Sequence, residues 1–508
     1  MNRNRTAGMR YHPTPSRPAL HRKTLKCSQL ICCKPGNISS VNIIKIEIMR
    51  VPYFPARSVL FHKEPNGVTY RVPALLYLPH CSSFLAFCEE RLSPSDSQAH
   101  LLVIRRGTFY RNYVELSSGE WEGMHVLATA YLPGHRSMNP CPVYDEFTST
   151  IFLFFIAILG HTPESFQLAT GKNLTRLCYI SSTDGGVTWS PVSDLTQQVI
   201  GDTIKEWATF ALGPGHGIQL KSGRLLVPAY AYHIECKQCF GKLCQTSPHA
   251  FCFHSDTHGR TWRFGEKVPG PESVECQVVS VDEEDGTNVL YCNARSRLGY
   301  RVQAISLDDG ATFQEGQLVQ RLVEPRNGCH GSVVGFPAPL QFHSYLDHRS
   351  QMPPLTTSPD FLTPTWVVYS HPTWTSARKD LGVFLSPYPR DPDSWRGPWV
   401  IYEGPCAYSD LTYIELPPSP GALPPAVAFA CLFECGARTA YDEISFCVFT
   451  LYELIDNLPS GDRLISCDYK KWPAPKASGS GHDGLQDVSH MKKKKRRTPK
   501  LGHCCSLS

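Results

Sequence analysis

The 508-residue chain lacks three features that would point to common architectures. It contains no sustained heptad repeat and no long amphipathic helix, which disfavours a coiled coil or a helical bundle. Its most apolar run, Ile151–Leu159, is too short to cross a bilayer as a helix and predicts a buried strand. The N-terminal region has no apolar core of the secretory type, so the glycosylation motifs at Asn37 and Asn173 are expected to stay unused.

Acidic residues are almost missing from the two ends of the chain. Residues 1–50 carry ten Lys or Arg and one acid, Glu47, and the tail from Met491 carries seven basic residues and no acid. The overall net charge of +5 therefore leaves −11 for residues 51–490. An acidic body argues against general nucleic-acid binding, which needs a basic face. The basic ends would suit an acidic membrane surface.

Each basic end leaves alternatives open. The Arg-rich start resembles a mitochondrial transit segment, and a translation start at Met49 explains it equally well. Near the other end, Cys504 and Cys505 follow the basic run Lys492–Arg497, and lipidation there would give two-signal membrane anchoring. A solvated tail or a nuclear-type signal is the alternative. We expect an intracellular protein that is not secreted, held peripherally at a lysosomal, mitochondrial, endoplasmic reticulum or plasma membrane.

Cysteine is abundant, but its placement indicates neither a disulfide framework nor a metal centre. Many of the 21 cysteines lie in apolar runs such as Phe251–Phe253 and Ser445–Phe449, which is typical of buried free thiols in a reducing compartment. The cluster Cys236–Cys244 is not followed closely by a second Cys or His pair with ligand spacing. The sequence therefore gives little support for a metal site.

Short apolar runs alternate with Gly, Pro, Asp and Ser turns from Val59 to about Leu454. This spacing predicts many short antiparallel strands, as in a propeller or a large sandwich. The Pro-, Ser- and Thr-rich stretch 341–364 predicts a surface loop, and the chain beyond about Cys467 is predicted to be disordered.

One turn pattern recurs in the predicted β region. The stretches Ser182–Trp189 ("STDGGVTW") and Ser306–Phe313 ("SLDDGATF") share the pattern S-x-D-x-G-x-T-aromatic, and Ser255–Trp262 repeats it with Thr257 in place of the Asp. An Asp that accepts backbone N–H bonds and a Gly with positive φ make a recurring hairpin turn. The pattern resembles the Asp box of several β-propeller families, and by itself it is structural.

Motifs along the chain resemble those of the animal exo-α-sialidases. "TYRVPALL", Thr69–Leu76, resembles the arginine motif that opens this family, and the resemblance extends over about residues 57–455. Three stretches look closest to a membrane-associated member of the family: Arg91–Ser97, Val400–Pro405 and Tyr441–Cys447. The remaining matches, in the family's order, are His135–Pro142, Gly213–Gly217, Val227–Tyr232, Val274–Val278, Asn293–Ser296 and Cys406–Leu411.

The resemblance implies an arginine triad for the substrate's carboxylate. A sialic acid carries this carboxylate on its anomeric carbon, and bidentate guanidinium pairing suits it. The resemblance assigns this role to Arg71, Arg295 and Arg378. An isolated arginine is more often part of a surface ion pair. The motif context outweighs that interpretation for Arg71 and Arg295, and it does so less firmly for Arg378.

The resemblance also implies the nucleophile. A substrate carboxylate would repel an acidic nucleophile, whereas tyrosine, the nucleophile found in sialidases, avoids that repulsion when a nearby base eases its deprotonation. The matching positions are Tyr408 as nucleophile and Glu275 as its base. A packed strand aromatic and an exposed charge are the alternatives for these two residues.

A general acid/base and its neighbours follow from the same resemblance. Asp96 lies in the loop Leu92–Ser97, and a loop can bring a carboxyl group to the leaving oxygen. Such an Asp is otherwise a common turn residue. Glu89 would orient an active-site arginine, and Arg91 would join the polar contacts to substrate.

Five further positions match substrate contacts. Met138 and Asn139 match the N-acetyl pocket, and Glu164, Tyr230 and Tyr232 match positions that face the glycerol side chain. The alternatives are a core role for both tyrosines and solvent exposure for Glu164.

Two positions depart from the family pattern. His330 stands where relatives usually have Gln, which could alter the polarity or the pH response of the pocket. Thr257 spoils the second Asp box, which should weaken a turn rather than the reaction.

The resemblance implies an all-β fold, a six-bladed β-propeller with Asp boxes. We expect a basic extension over residues 1–50, the propeller over 51–465 and a disordered basic tail over 466–508. The expected activity is hydrolysis of terminal α-linked sialic acids from gangliosides, glycoproteins and oligosaccharides, with retention and without cofactor or metal. The alternative is a non-catalytic propeller that binds sialylated partners, for which the arginines alone would suffice.

Overall fold

The fold was analysed in a computed structural model, which describes residues 52–112, 115–239, 243–339, 363–416, 426–459 and 461. The chain divides into the units Met1–Pro52 and Tyr53–Ser508, and of the first unit only Pro52 is described. The predicted N-terminal extension, most of the predicted loop 341–364 and the basic tail therefore lie outside the described residues, and the predicted domain boundaries stay predictions.

The described chain is all-β apart from short helical turns, and its strands form five antiparallel sheets. The N-terminal strand β1 (Arg57–His62) joins the last sheet, described below. The next sheet has the order β2-β3-β4-β5, with β6 paired to β4. Its strands are β2 (Thr69–Leu78), β3 (Ser83–Arg91), β4 (Ala99–Asn112), β5 (Glu115–Trp121) and β6 (His125–Val126).

Three sheets follow in chain order. The first has the order β10-β9-β8-β7 and contains β7 (His135–Asp145), β8 (Thr150–Leu159), β9 (Thr175–Ser182) and β10 (Ser193–Asp194), with helix α1 (Glu164–Thr170) between β8 and β9. The second has the order β11-β13-β14-β15, with β12 on β13, and contains β11 (Trp207–Leu212), β12 (Ile218–Gln219), β13 (Leu225–Cys239), β14 (Leu243–Ser255) and β15 (Arg263–Phe264). The third has the order β16-β17-β18-β19 and contains β16 (Cys276–Asp282), β17 (Asn288–Ala294), β18 (Tyr300–Ser306) and β19 (Gln317–Val323).

The last sheet has seven strands in the order β1-β25-β24-β23-β22-β21-β20. It contains β20 (Ser332–Pro337), β21 (Thr365–Pro372), β22 (Lys379–Ser386), β23 (Arg396–Leu416), β24 (Ala426–Cys435) and β25 (Glu443–Thr450), and helix α2 (Leu451–Asn457) follows. Because β1 pairs with β25, the first and last strands of the described chain close the fold on each other. Four sheets of four or five strands each have the size of a single blade, and the fold is all-β and propeller-like.

The apolar run Ile151–Leu159 forms β8, which confirms the predicted buried strand. Side chains of a strand alternate between its two faces, and here both faces are covered. Phe152, Phe154 and Ile156 belong to one hydrophobic cluster, while Leu153 and Phe155 belong to another. A strand buried on both faces needs an almost continuous apolar sequence, and each such side chain contributes about 1.5–3 kcal/mol when fully buried.

A buried carboxylate links strands of several sheets. The Oδ1 atom of Asp410 accepts hydrogen bonds from Gln277 Nε2 at 2.9 Å, Ser332 Oγ at 2.9 Å and His216 Nδ1 at 2.8 Å. Its Oδ2 atom accepts from the Leu75 backbone N–H at 2.7 Å. Because these groups lie on β2, β16, β20, β23 and the loop before β12, Asp410 fixes the strands that carry the candidate site.

The three predicted turns share one hydrogen-bonding pattern. Asp184 accepts from the Thr188 backbone N–H at 2.9 Å, and Asp308 accepts from the corresponding Thr312 at 2.8 Å. In the third turn the hydroxyl of Thr257 accepts from Thr261 N–H at 2.8 Å. A hydroxyl therefore takes the place of the carboxylate, and the turn keeps its form.

The cysteines are mostly free, as predicted, with one departure. Eleven of the thirteen free cysteines in the described chain are buried. Cys236 is disulfide-bonded, so the prediction of free thiols is wrong at that position. Within the described residues, no group of three or more His, Cys, Asp or Glu side chains is arranged to hold a metal ion. No helix among them is long and apolar enough to cross a membrane.

Candidate active site

The site begins where the strands that carry Arg71 and Tyr408 are bulged. The β2–β3 register shifts between Arg71 and Ala74, and the β23–β24 register shifts between Cys406 and Ser409. A bulge releases a peptide N–H from the ladder and re-aims the neighbouring side chain. Val72, a β-branched residue with φ of 58°, lies in the first bulge, which marks local strain beside Arg71.

Both bulges direct their free N–H groups to the buried carboxylate of Glu434. Its oxygens accept from Val72 N at 2.8 Å and from Tyr408 N at 3.1 Å. The same carboxylate accepts from Arg71 Nε at 2.8 Å, and both side chains of this ion pair are buried. Burial alone lowers the pKa of Arg71, but the charge and hydrogen bond of Glu434, together with Tyr441 and Tyr408, outweigh that and raise it. Glu434 thus fixes the positions of a predicted triad arginine and the predicted nucleophile relative to each other.

The Tyr408 hydroxyl lies between a carboxylate and a guanidinium group. It donates a short hydrogen bond to Glu275 Oε1, and it accepts one from Arg295 Nη1 at 3.2 Å. Arg295 Nη1 also donates to Glu275 Oε2 at 2.7 Å. Burial, followed by the Glu275 charge, raises the pKa of Tyr408 well above its ordinary value, so the phenol is neutral at rest. The predicted nucleophile and the predicted base are therefore in contact.

The three predicted triad arginines converge on the ring of Tyr408. The guanidinium carbons of Arg71 and Arg378 lie 5.5 Å and 5.4 Å from the ring centroid, and Arg295 contacts the hydroxyl. Arg378 donates from Nη2 to the Gly328 carbonyl at 3.0 Å. Residues separated by more than 300 positions thus form one cationic cluster.

Asp96 reaches this cluster from its loop and keeps most of its side chain in solvent, with 75 % exposed. It accepts a short hydrogen bond from Arg91 Nη1, and its Oδ1 atom lies 4.0 Å from Arg71 Nη1. Desolvation alone would raise the pKa of Asp96, but Arg91, Arg71 and Arg378 together lower it below the ordinary range. In the free protein this carboxyl group is therefore ionised near neutral pH.

Glu89 links the Asp96 side of the site to Asn139. Its Oε2 atom accepts from Arg91 Nε at 2.7 Å, and its Oε1 atom accepts from the Asn139 backbone N–H at 2.7 Å. Asn139, with φ of 54°, lies in a bulge of β7 that begins after Met138. Met138 itself packs into a hydrophobic cluster. The predicted orienting role of Glu89 is thus directed at Arg91.

The three remaining predicted residues lie on the Glu275 side. Tyr230 and Tyr232 are buried in a hydrophobic cluster with ring centroids 6.1 Å apart, so the core alternative holds for much of their surface. Their hydroxyls nevertheless lie within electrostatic range of Glu164 and Glu275. Glu164 begins α1 and is exposed at the surface, so the alternative of solvent exposure holds for it. Partial desolvation by the surrounding protein, followed by the charges of Glu275 and Asp96, raises its pKa to about 7.

Two residues at the centre of the site were not predicted from the sequence. Glu434 holds Arg71 and Tyr408, and Tyr441 stacks under Arg71, whose guanidinium carbon is 3.9 Å from its ring centroid. Tyr441 also accepts a hydrogen bond from Arg378 Nη1 at 3.4 Å. The signal for Glu434 was present: it is the only acid in the apolar strand sequence "AVAFACLFEC", where a buried charge needs a partner.

A second buried cluster supports the loop beneath two of the arginines. Glu324 accepts from Arg301 Nη1 at 3.0 Å, from the Cys329 backbone N–H at 2.9 Å and from His371 Nε2 at 3.1 Å. The loop between Glu324 and Cys329 presents the Asn327 carbonyl to Arg295 at 2.7 Å. The cluster thus fixes the carbonyl that accepts from Arg295, one of the predicted triad arginines.

His330 is completely buried beside the nucleophile, with its ring centroid 5.3 Å from that of Tyr408. Neither ring nitrogen has a hydrogen-bond partner among the described residues. Burial, reinforced by Arg301, lowers the pKa of His330 well below its ordinary value, so the imidazole is neutral. The departure from the family pattern therefore adds a polar ring but no charge.

Three guanidinium groups around a neutral phenol, with carboxylates on either side, form a site that suits an anionic ligand. Comparison with known proteins identifies the class. A family model described as a BNR repeat-like domain matches residues 95–416. The chain is 47 % identical over 486 residues to mouse Sialidase-4, covering 83 % of this chain and 99 % of that protein. It is 43 % identical over 421 residues to mouse Sialidase-3, covering 80 % and 97 %.

The chain belongs to the sialidase family, and it is an enzyme of the glycoside hydrolase class. The family member that Arg91–Ser97 and its two companion stretches resemble is sialidase-4, and that resemblance is confirmed. Human Sialidase-4 matches at 47 % identity over 497 residues, covering 84 % of this chain and all of that protein.

Solved structures of low sequence identity share the fold. A Hadza microbial sialidase superposes with a TM-score of 0.59 at 22 % identity, covering 78 % of this chain and 69 % of that one. The Trypanosoma rangeli sialidase in complex with the inhibitor DANA gives a TM-score of 0.53 at 14 % identity, covering 80 % and 61 %. These likenesses support the propeller-like architecture.

Proposed function

We propose that the protein is an exo-α-sialidase that removes terminal α-linked sialic acids from gangliosides, glycoproteins and oligosaccharides with retention of configuration. The observation that carries the proposal is the Tyr408 hydroxyl, which contacts both Glu275 and Arg295 while Arg71 and Arg378 lie over its ring. A site that only binds sialic acid needs the arginines, but it does not need a base in contact with a buried phenol.

In the first step, Tyr408 Oη attacks the anomeric carbon and its proton passes to Glu275. The bond from that carbon to the leaving oxygen breaks, and Asp96 supplies the proton that the oxygen needs. Arg71, Arg295 and Arg378 hold the substrate carboxylate, so the attacked carbon is presented to the phenol. The product of this step is a glycosyl-tyrosine, as expected for a retaining enzyme.

In the second step, Asp96 takes a proton from water, and the water oxygen attacks the anomeric carbon from the side that the leaving group vacated. The bond to Tyr408 Oη breaks, and Glu275 returns its proton to the phenolate. Two displacements on one carbon give overall retention. Both proton carriers return to their initial states.

Substrate binding can also prepare Asp96 as an acid. Arg91, Arg71 and Arg378 lower its pKa in the free protein. A bound carboxylate would offset the charges of Arg71 and Arg378, and its own charge would disfavour a second anion nearby. The pKa of Asp96 therefore rises when substrate is present, which favours the protonated form required for the first step.

The remaining predicted contacts fit the same arrangement. We assign Met138 and Asn139 to the N-acetyl group, Glu164, Tyr230 and Tyr232 to the glycerol side chain, and Arg91, oriented by Glu89, to the polar contacts. Glu164 supports this assignment because its pKa of about 7 permits it to donate as well as accept a hydrogen bond to a hydroxyl.

The seven-stranded sheet supports a six-blade interpretation of the fold. β23 pairs with β22 through residues Arg396–Pro405 and with β24 through residues Cys406–Leu416. We propose that this long strand is shared by two four-stranded blades, which together with the other four sheets give six. The turns at Asp184, Thr257 and Asp308 would be the Asp boxes of three of them.

We propose a peripheral association with an intracellular membrane, supported by the basic run Lys492–Arg497 and the adjacent Cys504 and Cys505 in the sequence. These residues lie outside the described part of the chain. Sedimentation of the full-length protein with anionic vesicles, compared with a variant in which the run is replaced by Ser, tests this association.

The activity itself is tested by hydrolysis of a fluorogenic sialoside by the wild-type protein and by Tyr408→Phe. We expect turnover by the wild type within about pH 4–7, where carboxyl and imidazole groups titrate. The variant should lose turnover and still bind a sialic-acid analogue in calorimetry. Wild-type protein that binds the analogue without turnover would favour the non-catalytic alternative.

A further inference from the structure

Large apolar side chains are exposed on three loops and on helix α1, and each of these four segments carries a predicted site residue. Leu92, Phe166, Leu298 and Trp374 are between 44 and 52 % exposed. They lie within five positions of Asp96, Glu164, Arg295 and Arg378, respectively. Single exposed hydrophobic residues are common on protein surfaces, but their presence on four segments around one candidate site is a pattern.

Contacts between these loops show that they surround the same opening. His161 Nδ1, on the segment before α1, is 2.9 Å from the Ser97 carbonyl of the Asp96 loop. Arg297, next to Leu298, lies within electrostatic range of the Glu164 carboxyl group. The Asn327–Gly328 turn connects the other two loops, since it accepts hydrogen bonds from Arg295 and Arg378. We name Leu92, Phe166, Leu298 and Trp374 the apolar rim.

Exposed cations accompany the apolar rim. Arg297, Arg326 and Arg438 are exposed on loops that carry Arg295, Asn327 and Tyr441. Lys379 lies over the Trp374 ring with its Nζ atom 4.3 Å from the centroid. Apolar side chains interspersed with Arg and Lys are complementary to a lipid surface that bears anionic headgroups.

We infer that the apolar rim docks on the surface of a bilayer or micelle that carries sialylated glycolipid, so that the enzyme works at the lipid interface. The inference rests on the proposed sialidase activity. During turnover the sialic acid to be cleaved is bound in the candidate site. When the glycolipid headgroup is short, the rest of the headgroup and the lipid chains must extend past the apolar rim. The rim therefore meets the surface from which the headgroup projects.

The test compares Phe166→Ser/Leu298→Ser with wild type on two substrates. One is sialyllactose in solution, and the other is a sialylated glycolipid at low mole fraction in phosphatidylcholine vesicles. Neither residue belongs to the proposed machinery, so kcat/KM for sialyllactose should stay within about twofold. Loss of two apolar contacts with lipid should lower kcat/KM on the vesicles by about tenfold or more. Trp374→Ser is a second, independent rim variant. It should likewise lower kcat/KM on the vesicles and leave kcat/KM for sialyllactose unchanged.

The chain offers a matched control at the opposite strand ends. Phe147, Val187 and Leu307 are 60 to 68 % exposed, and they lie on loops that carry no site residue. Phe147→Ser/Leu307→Ser should leave both rates unchanged. Equal rates of the rim variant and wild type on vesicles would overturn the inference, as would an equal loss on a soluble sialylated glycoprotein, which would indicate protein docking. Absence of wild-type turnover on sialyllactose would instead refute the proposed function.

Discussion

The Tyr408 hydroxyl donates its hydrogen bond to Glu275, and the same Glu275 is paired with Arg295. Burial and the carboxylate together raise the pKa of the phenol, which keeps it protonated. The pair is thus set with its proton on the tyrosine before substrate arrives. This relationship supports the proposed role of Tyr408 as nucleophile over the alternative of a packed aromatic residue.

Glu275→Gln should abolish most turnover without removing the hydrogen-bond acceptor. A Gln side chain can still accept from Tyr408 Oη, but it cannot take the proton. We expect kcat to fall by about 10²–10⁴-fold, the usual contribution of a general base. Steady-state kinetics on a fluorogenic sialoside measure this. Glu266→Gln, at an exposed position, is the control, and activity of Glu275→Gln within tenfold of wild type would contradict the assignment.

Asp96→Asn should reveal its role through the leaving group. We expect a loss of about 10²–10⁴-fold on sialyllactose, whose sugar alkoxide needs a proton to depart. The loss should be much smaller on an aryl sialoside, because a phenolate leaves without one. The measurement is kcat/KM of Asp96→Asn relative to wild type on each of the two substrates. Equal losses would assign Asp96 to substrate positioning, and Ser97→Ala in the same loop serves as the control.

The sequence predicted the strands and most of the site because both depend on local signals or on motifs. Alternating apolar runs indicated strands such as β8, and the family motifs indicated the residues around Tyr408. The role of Glu434 depended on two bulges, at Val72 and Tyr408, whose N–H groups it accepts. Bulges follow from strand pairing across hundreds of residues, and no local pattern in the sequence encodes that.

Glu434→Gln should weaken ligand binding more than it weakens chemistry. It would leave the buried guanidinium of Arg71 without its counter-ion, and breaking such a pair typically costs about 3–5 kcal/mol. We expect lower thermal stability, a higher KM and a smaller change in kcat. Titration calorimetry with a sialic-acid analogue measures the lost affinity. A lower melting temperature with unchanged affinity would limit Glu434 to a structural role.

His330→Gln should reduce the loss of folding stability at low pH and leave the pH–rate profile unchanged. The pKa of His330 in the folded protein lies well below the unfolded value of about 6.5, so the unfolded chain binds more protons as the pH falls. The protonation of His330 therefore has no effect on stability above about pH 6.5 and costs up to about 1.4 kcal/mol per pH unit below it. The charged or titratable groups that act on it are Arg301, Asp410, His371 and Arg295.

We expect the variant to lose less stability than wild type between pH 7 and pH 5, measured by denaturant unfolding at each pH. The slope of kcat/KM against pH should be the same for both proteins, because a neutral imidazole has no charge to lose in this range. A shift of the acid limb in His330→Gln would show that the ring titrates during turnover.

Asp184→Ala should destabilise the protein before it affects the reaction. Asp184 accepts from Thr188 N–H at 2.9 Å and from Thr188 Oγ1 at 2.6 Å, and these hydrogen bonds lower its pKa to about 2. Its contribution is present above the ordinary Asp pKa of 3.8 and is lost as the pH falls toward 2. At pH 7 we expect a lower free energy of unfolding by about 1 kcal/mol and unchanged kcat/KM.

The chain supplies the matched variant for this turn. Thr257 takes the equivalent place in a sister turn and accepts from Thr261 N–H at 2.8 Å. Asp184→Thr should therefore retain more stability than Asp184→Ala at pH 7, and it should remove the loss of stability at low pH that the carboxylate causes. A fall in turnover of Asp184→Ala at unchanged melting temperature would place this residue in the reaction instead of the scaffold.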